Sequence, residues 1–384
     1  MPSRARRLAP FVVALPLLLA ACGTSGTPSG SGGASVAIGV SETGCDPTQV
    51  TAQAGQVVFV ITNDGTDVAE FEVVGADAKV LDEAENIVPG FVVNLSTRLD
   101  GGTYELVCGN LSAPRGSLTV SGGAAATAPP NSVVDPAVLT PIVAEYKTYV
   151  IAEADELVKR VGAFTGAIDT GDLAAAKAAY GPARVPWERI EPIAELFSDI
   201  DPKVDAREDD FEGGADDPAF TGFHRLEKGL WVDGTTNGLT DLSAGLRANV
   251  AELRSRLDTL DIEPRNMARG AGELIDEVAQ SKMTGEEDRY SKLDLWSIGP
   301  NVEGSKRIVD LLHPVIAGID QEYLTGLDGA YAKVDAIIAK YGDETKGFET
   351  FDRIDPADLK ALQASLADLS ERLAELPGRL GLEA

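Results

Sequence analysis

DPADLKALQASLADLSERLAEL, residues 355–376, reads as a single amphipathic helix. Asp355 stands where a capping carboxylate can accept from the first free backbone N–H groups, and Pro356 suits the first helical turn. Leu359, Leu362, Leu366, Leu369, Leu373 and Leu376 then recur every three or four residues. On a rod with 3.6 residues per turn that spacing makes one apolar stripe, which must be buried against another element. Pro377-Gly378 is read as its end. The same stripe runs through Leu239, Leu242, Leu246, Val250, Leu253, Leu257 and Leu260, and again through Leu327, Tyr331, Val334, Ile338 and Tyr341. From residue 136 to 384 the chain is therefore expected to form about eight helices packed as an all-α bundle.

Outward from the bundle the period changes. Residues 35–120 alternate with period two and are rich in β-branched residues, with strands expected at 36–40, 57–61, 68–74, 91–95, 104–107 and 117–120. Asn63-Asp64-Gly65 and Asp100-Gly101-Gly102 supply turns. Short strands in so little chain predict a small β-sandwich. Residues 121–135, rich in Gly, Ala, Pro and Ser, read as a linker between the domains.

Ahead of the sandwich lie Arg4, Arg6 and Arg7, an apolar run of ten residues from Phe11 to Ala20, and Leu19-Ala20-Ala21-Cys22. The run is too short to span a bilayer, which takes about 20 apolar residues. Residues 1–21 are expected to be a cleaved export signal, Cys22 a lipidated new N-terminus, and residues 22–34 a Gly/Ser tether. Losing the signal removes three arginines, so the net charge of −28 becomes −31. An acidic chain without a basic run argues against nucleic acid. Its location is expected to be outside the cytoplasmic membrane, held by the lipid.

Only two histidines occur, His224 and His313. A blue-copper centre needs two histidines and a cysteine, and residues 35–120 contain no histidine at all. H-E-x-x-H and G-x-S-x-G are both absent. The remaining chemistry is carboxylate. His224 and Glu227 stand three apart, as do Glu188 and Glu191, so each pair shares a helical face. Asp205 and the run Glu286-Glu287-Asp288 add further oxygens. Many oxygens with one nitrogen suit Fe, Mn, Zn or Cu(II). The plainer alternatives are a solvated helix face for Glu188, Glu191 and Glu195, and acids opening a helix for Glu286 and Glu287. His313, before Pro314 in an apolar segment, is read as structural. Cys45 and Cys108 are either a disulfide or part of a metal site.

These residues carry a resemblance. WERIEPIAELFSDIDPKVDAREDDF (187–211), His224-Arg225-Leu226-Glu227 and Met283-Thr284-Gly285-Glu286-Glu287-Asp288-Arg289-Tyr290-Ser291 resemble the imelysin domain of the EfeO family. Thr43-Gly44-Cys45, Glu70-Phe71-Glu72, 85–91 (ENIVPGF) and Tyr104-Glu105-Leu106-Val107-Cys108-Gly109 resemble the cupredoxin-like domain fused in front of it. The resemblance implies a component of the EfeUOB iron-uptake system, beside a membrane iron permease and a haem-containing, peroxidase-like partner. It implies metal ligands at Glu188, Glu191, Asp205, His224, Glu227 and Glu287. A separate site in the sandwich is implied at Cys45, Cys108 and Glu70, with Glu72 and Glu85 behind. Where the family often has histidine after the acidic run, this chain has Lys292. Capture of Fe2+ or Fe3+ and its delivery is the expected function, with copper or zinc as other candidate ions. Copper-dependent ferroxidase, metallopeptidase activity, or a surface binding module with structural metal are the alternatives.

Overall fold

The computed structural model describes residues 34–123 and 134–382; the expected signal, Cys22 and nearly all of the tether lie outside them. The first part is a sandwich of two sheets. One has the order β2 (Gly44–Asp46), β1 (Ala34–Ser41), β4 (Gly55–Asn63), β7 (Val92–Leu99). The other runs β3 (Gln49–Gln53), β9 (Gly116–Ser121), β8 (Gly102–Cys108), β5 (Ala69–Val74), β6 (Val80–Ile87). β1 with β4 and β3 with β9 pair in parallel, and the other neighbours are antiparallel. Inward residues Val36, Ile38, Val57, Phe59, Phe71, Val73, Leu106 and Leu118 are buried between the sheets. Asn63 ties its turn together, donating from Nδ2 to the carbonyls of Asp67 and Ile87 at 2.8 and 2.6 Å.

Cys45 and Cys108 form a disulfide, with Cα atoms 5.1 Å apart. It joins β2 of one sheet to β8 of the other. Of the two alternatives for these cysteines the structure thus has the disulfide, and a sulfur in a disulfide is not a thiolate ligand. Glu70 does not converge with them either. Phe71 pairs directly with Cys108, so these two share the inner face, and period-two alternation sends Glu70 and Glu72 to the outer one.

The second part is helical: α1 (Pro136–Asp169), α2 (Leu173–Ala194), α3 (Asp201–Val204), α4 (Gly222–Trp231), α5 (Thr240–Leu257), α6 (Pro264–Gln280), α7 (Leu295–Ile319), α8 (Gln321–Ile338), α9 (Pro356–Ala374) and α10 (Leu376–Leu380). Asp355 caps α9 as expected, accepting from Ala357 N–H at 2.8 Å. Leu362, Leu366, Leu369 and Leu373 are fully buried. Pro377-Gly378 does not end the helical chain but sits within α10, where Pro377 occupies a first-turn position open to proline. Glu286 and Glu287 open no helix; turns fill the chain up to α7.

The sandwich docks on the bundle through β6. Val80 N–H donates to the Leu196 carbonyl at 2.9 Å, and Ser198 N–H to that of Ala78 at 3.1 Å. Buried Asp82 meets Arg265 at 3.5 Å and pairs with Arg269, both on α6. Beside this seam the outer face of β5 and β6 stands off from the bundle, leaving a cleft of about 830 Å³, and the domains touch again where Leu111 N–H donates to the Asp210 carbonyl at 3.2 Å.

Candidate metal centre

Proline-rich α2 carries Arg184, Glu188 and Glu191 at spacings of four and three, on one face. That face is buried, not solvated: Arg184 and Glu188 are wholly inaccessible and Glu191 nearly so. Asp205 follows the last residue of α3 as its C-terminal cap, α4 carries His224 and Glu227, and the turns before α7 carry Glu287 and Asp288. Four separate segments thus bring the six expected bundle residues into one region.

They do not form one coordination shell. Asp205, His224 and Glu287 offer ligand atoms that all lie within 4.8 Å of one another. His224 Nε2 faces this group, 3.4 Å from Asp205 Oδ1 and 4.0 Å from Glu287 Oε1. The other ring nitrogen, Nδ1, lies 3.5 Å from Glu227 Oε2. Glu227 is itself fixed, since Oε1 accepts from the N–H groups of Tyr290 and Ser291 at 3.1 and 2.7 Å. A carboxylate on one imidazole nitrogen fixes the ring's orientation; the other nitrogen, Nε2, faces the two triad acids with Arg184 Nη1 also 3.4 Å away. Asp205 and Glu287 also line the cleft, so the triad has a way in.

Two cations not singled out from the sequence sit among these acids, those of the triad included. The guanidinium of Arg184 pairs with Asp205 and Glu188, and donates to Glu287 Oε1 at 2.7 Å and to Ser297 Oγ at 3.1 Å. Lys282 donates to both oxygens of Glu191 at 2.8 Å and to Glu188 Oε2 at 3.2 Å. Asn301 Nδ2 donates to the same two carboxylates at 2.6 and 3.0 Å. Glu188 and Glu191 are therefore counter-ions to Arg184 and Lys282, and Asp205 and Glu287 of the triad share the first of those cations. Buried Asp288, a neighbour of the predicted Glu287, accepts from Tyr180 Oη at 2.7 Å. The signal for Arg184 was its place four residues before Glu188 on a face otherwise read as acidic.

The field at the triad follows from these partners. Burial alone would raise the Glu287 carboxyl, but Lys282, Arg184 and Arg207 bring it down to about 2. Asp205 likewise is held well below the usual range by Arg184 and His224 against its burial. Burial and Arg184 oppose a charge on His224, yet hydrogen bonds to Asp205 and Glu227 raise it to about 10. Both acids are thus ionised at neutral pH, and the imidazole proton is what an incoming cation must displace.

The cleft beside the triad is acidic on both walls. Glu70, Glu72, Glu83 and Glu85 come from β5 and β6; Glu191, Glu195 and Glu277 come from α2 and α6 and also approach within 4.8 Å of one another. Enclosure between the two walls and repulsion from Asp210 and Glu72 raise Glu70 to about 8, although its side chain stays open to cleft water, and enclosure raises Glu72 to about 7. His313 lies elsewhere, half exposed on α7 beside Asp328 at 3.3 Å. It is a surface pair, since its helix turns it away from the core. Lys292 adopts φ +59° and donates to the Gly285 carbonyl at 2.8 Å, so it braces the acidic turn instead of standing in the centre.

Sandwich, bundle and buried acid–imidazole centre define a class of protein: a cupredoxin-like domain fused to an imelysin-type helical domain. The imelysin family (peptidase M75) matches residues 142–376 and the cupredoxin-like domain family residues 12–120. The iron uptake system component EfeO of Escherichia coli (strain K12) is 45% identical over 348 residues, covering 91% of this chain and 92% of its own length. The corresponding protein of Shigella sonnei gives the same figures. This chain belongs to the EfeO family of iron uptake system components. A solved iron-regulated protein A precursor from Parabacteroides distasonis aligns at a TM-score of 0.49 and 16% identity, covering 66% of this chain and 97% of its own.

Proposed function

We propose that this protein captures iron outside the cytoplasmic membrane at Asp205, His224 and Glu287 and passes it to a membrane iron permease. The observation that carries the reading is the convergence of those three ligand atoms within 4.8 Å at the floor of an acidic cleft. Two ionised oxygens and one imidazole nitrogen fit a hard or borderline cation such as Fe2+ or Fe3+. The cleft acids that stay ionised, Asp205 and Glu287, draw cations inward. Glu227 serves as the residue that orients His224. Among the described residues no helix is long and apolar enough to cross a membrane; attachment is assigned to lipid on Cys22, which fractionation of Cys22→Ser tests by its release from the membrane. A haem-containing partner belongs to the same proposal. The ferroxidase alternative loses support, because the sandwich's two sulfurs are bonded to each other.

Calorimetric titration of Fe3+ and Zn2+ into the full chain is the test. His224→Ala should weaken binding roughly 10- to 100-fold, about 1.4–2.8 kcal/mol, while His313→Ala leaves it unchanged. Equal affinity in the His224 variant and the parent contradicts the site.

A further inference from the structure

The carboxylates around the triad are not waiting empty. Lys282 is 1% exposed, and its ammonium lies 2.8 Å from Glu191, 3.2 Å from Glu188, 3.6 Å from Glu277 and 3.8 Å from Glu287. It therefore touches one member of the triad while sitting among acids of the cleft wall. A dication at the triad and an ammonium this close repel each other at short range, where little water screens them.

Arg184 is built to stay. It lies in the middle of α2, its planar fork is shared among Asp205, Glu188, Glu287 and Ser297, and its guanidinium stacks 5.3 Å from the Phe223 ring. Lys282 is built differently. It starts a single 3-10 turn, Lys282–Thr284, which ends at Gly285 with φ +77°. A flexible four-carbon stem carries its point charge, with no fork to satisfy. Three of its partners, Glu191, Glu277 and Glu287, line the cleft, where Glu195 completes a cluster of three carboxylates with the first two. The ammonium has an inner position, among Glu188, Glu191 and Glu287, and an outer one within reach, among Glu191, Glu195 and Glu277.

We propose that Lys282 is a tethered competitor of the metal: it neutralises the inner acids when the triad is empty, swings outward to the Glu195–Glu277 side when a cation loads, and returns to favour release. This rests on the triad being the binding site. Affinity is thereby kept below what the acids alone would give, as a component that must hand its cargo on requires. No electron is transferred in this exchange: one cation replaces another at the inner acids, and the proton that leaves the His224 ring on loading goes to solvent.

The test uses Zn2+, which has no redox chemistry, with the full chain. Lys282→Met, similar in length and uncharged, should bind Zn2+ at least ~10-fold tighter and lose it to excess chelator ~10-fold more slowly. Lys282→Arg, which keeps the charge, should not bind tighter than the parent. A folded Lys282→Met protein with parental or weaker affinity overturns the inference. Should that variant not fold, the unmodified chain answers by amine acylation mapped by mass spectrometry. Lys282 should be protected without metal and react several-fold faster once Zn2+ is bound; unchanged or greater protection overturns the proposal. A parent chain that binds no Zn2+ at the triad removes the site itself and this inference with it. Parental binding with an indifferent Lys282 removes the inference alone.

Discussion

His224 has a different job at each ring nitrogen. Nε2 turns to Asp205 and Glu287, and Nδ1 to Glu227. Spacing along one helix made His224 and Glu227 legible as partners, but not that they meet through the nitrogen facing away from the triad; that depends on α4 being pinned by the Tyr290 and Ser291 N–H groups. Arg184 had only its spacing from Glu188 to mark it, and Lys282 had no mark at all, because buried cations look like surface ones until their neighbours are known. From the geometry, Glu227→Gln should keep the hydrogen bonds that hold the side chain but weaken its grip on the imidazole. Metal affinity should then fall about 10-fold, at the low end for a residue behind a ligand. Competition against a chelating dye measures it. A loss as large as in His224→Ala would place Glu227 in direct contact with the ion instead.

At the scale of elements, the helices were readable from leucine spacing and the main strands from alternation. β6 was not. Asp82, Glu83 and Glu85 break the apolar alternation of a strand whose outer face looks into the cleft, and Asn86, at φ +53°, disturbs its pairing. β2, only three residues long, carries too little pattern to read. It matters nonetheless, because its Cys45 joins the two sheets through Cys108. Replacing both cysteines by serine lengthens the reach of the unfolded chain and should cost the sandwich about 2–5 kcal/mol. The triad, built from the bundle alone, should bind Zn2+ as before. Urea unfolding and titration of the same variant check both statements; lost zinc affinity with an intact bundle would tie the sulfurs to the site.

For the whole molecule, the two domains meet along β6 and again where Leu111 and Ser112 bond Asp210 and Glu212, with an acidic cleft between them, and this makes stability depend on pH. Glu70 and Glu72 titrate near 8 and 7 in the fold against an ordinary 4.5. A raised carboxyl favours its neutral form in the fold, so this stability is full below about pH 4.5 and is lost as pH rises through 7 to 8. Glu287, held near 2, has the opposite sign and matters only in strong acid. The metal-free chain should therefore melt at a lower temperature at pH 8 than at pH 5, and Glu70→Gln with Glu72→Gln should flatten the slope. Scanning calorimetry across that range decides it, and a melting temperature that climbs toward pH 8 would refute the picture of a crowded cleft. Zn2+-soaked crystals of the full chain, measured at the zinc absorption edge, test the metal centre most directly. The anomalous peak should lie among Asp205, His224 and Glu287, with Nε2 at about 2.0–2.1 Å and the Lys282 ammonium moved outward. A peak held instead by Glu191, Glu195 and Glu277, with His224 still bonded to Asp205, would contradict it.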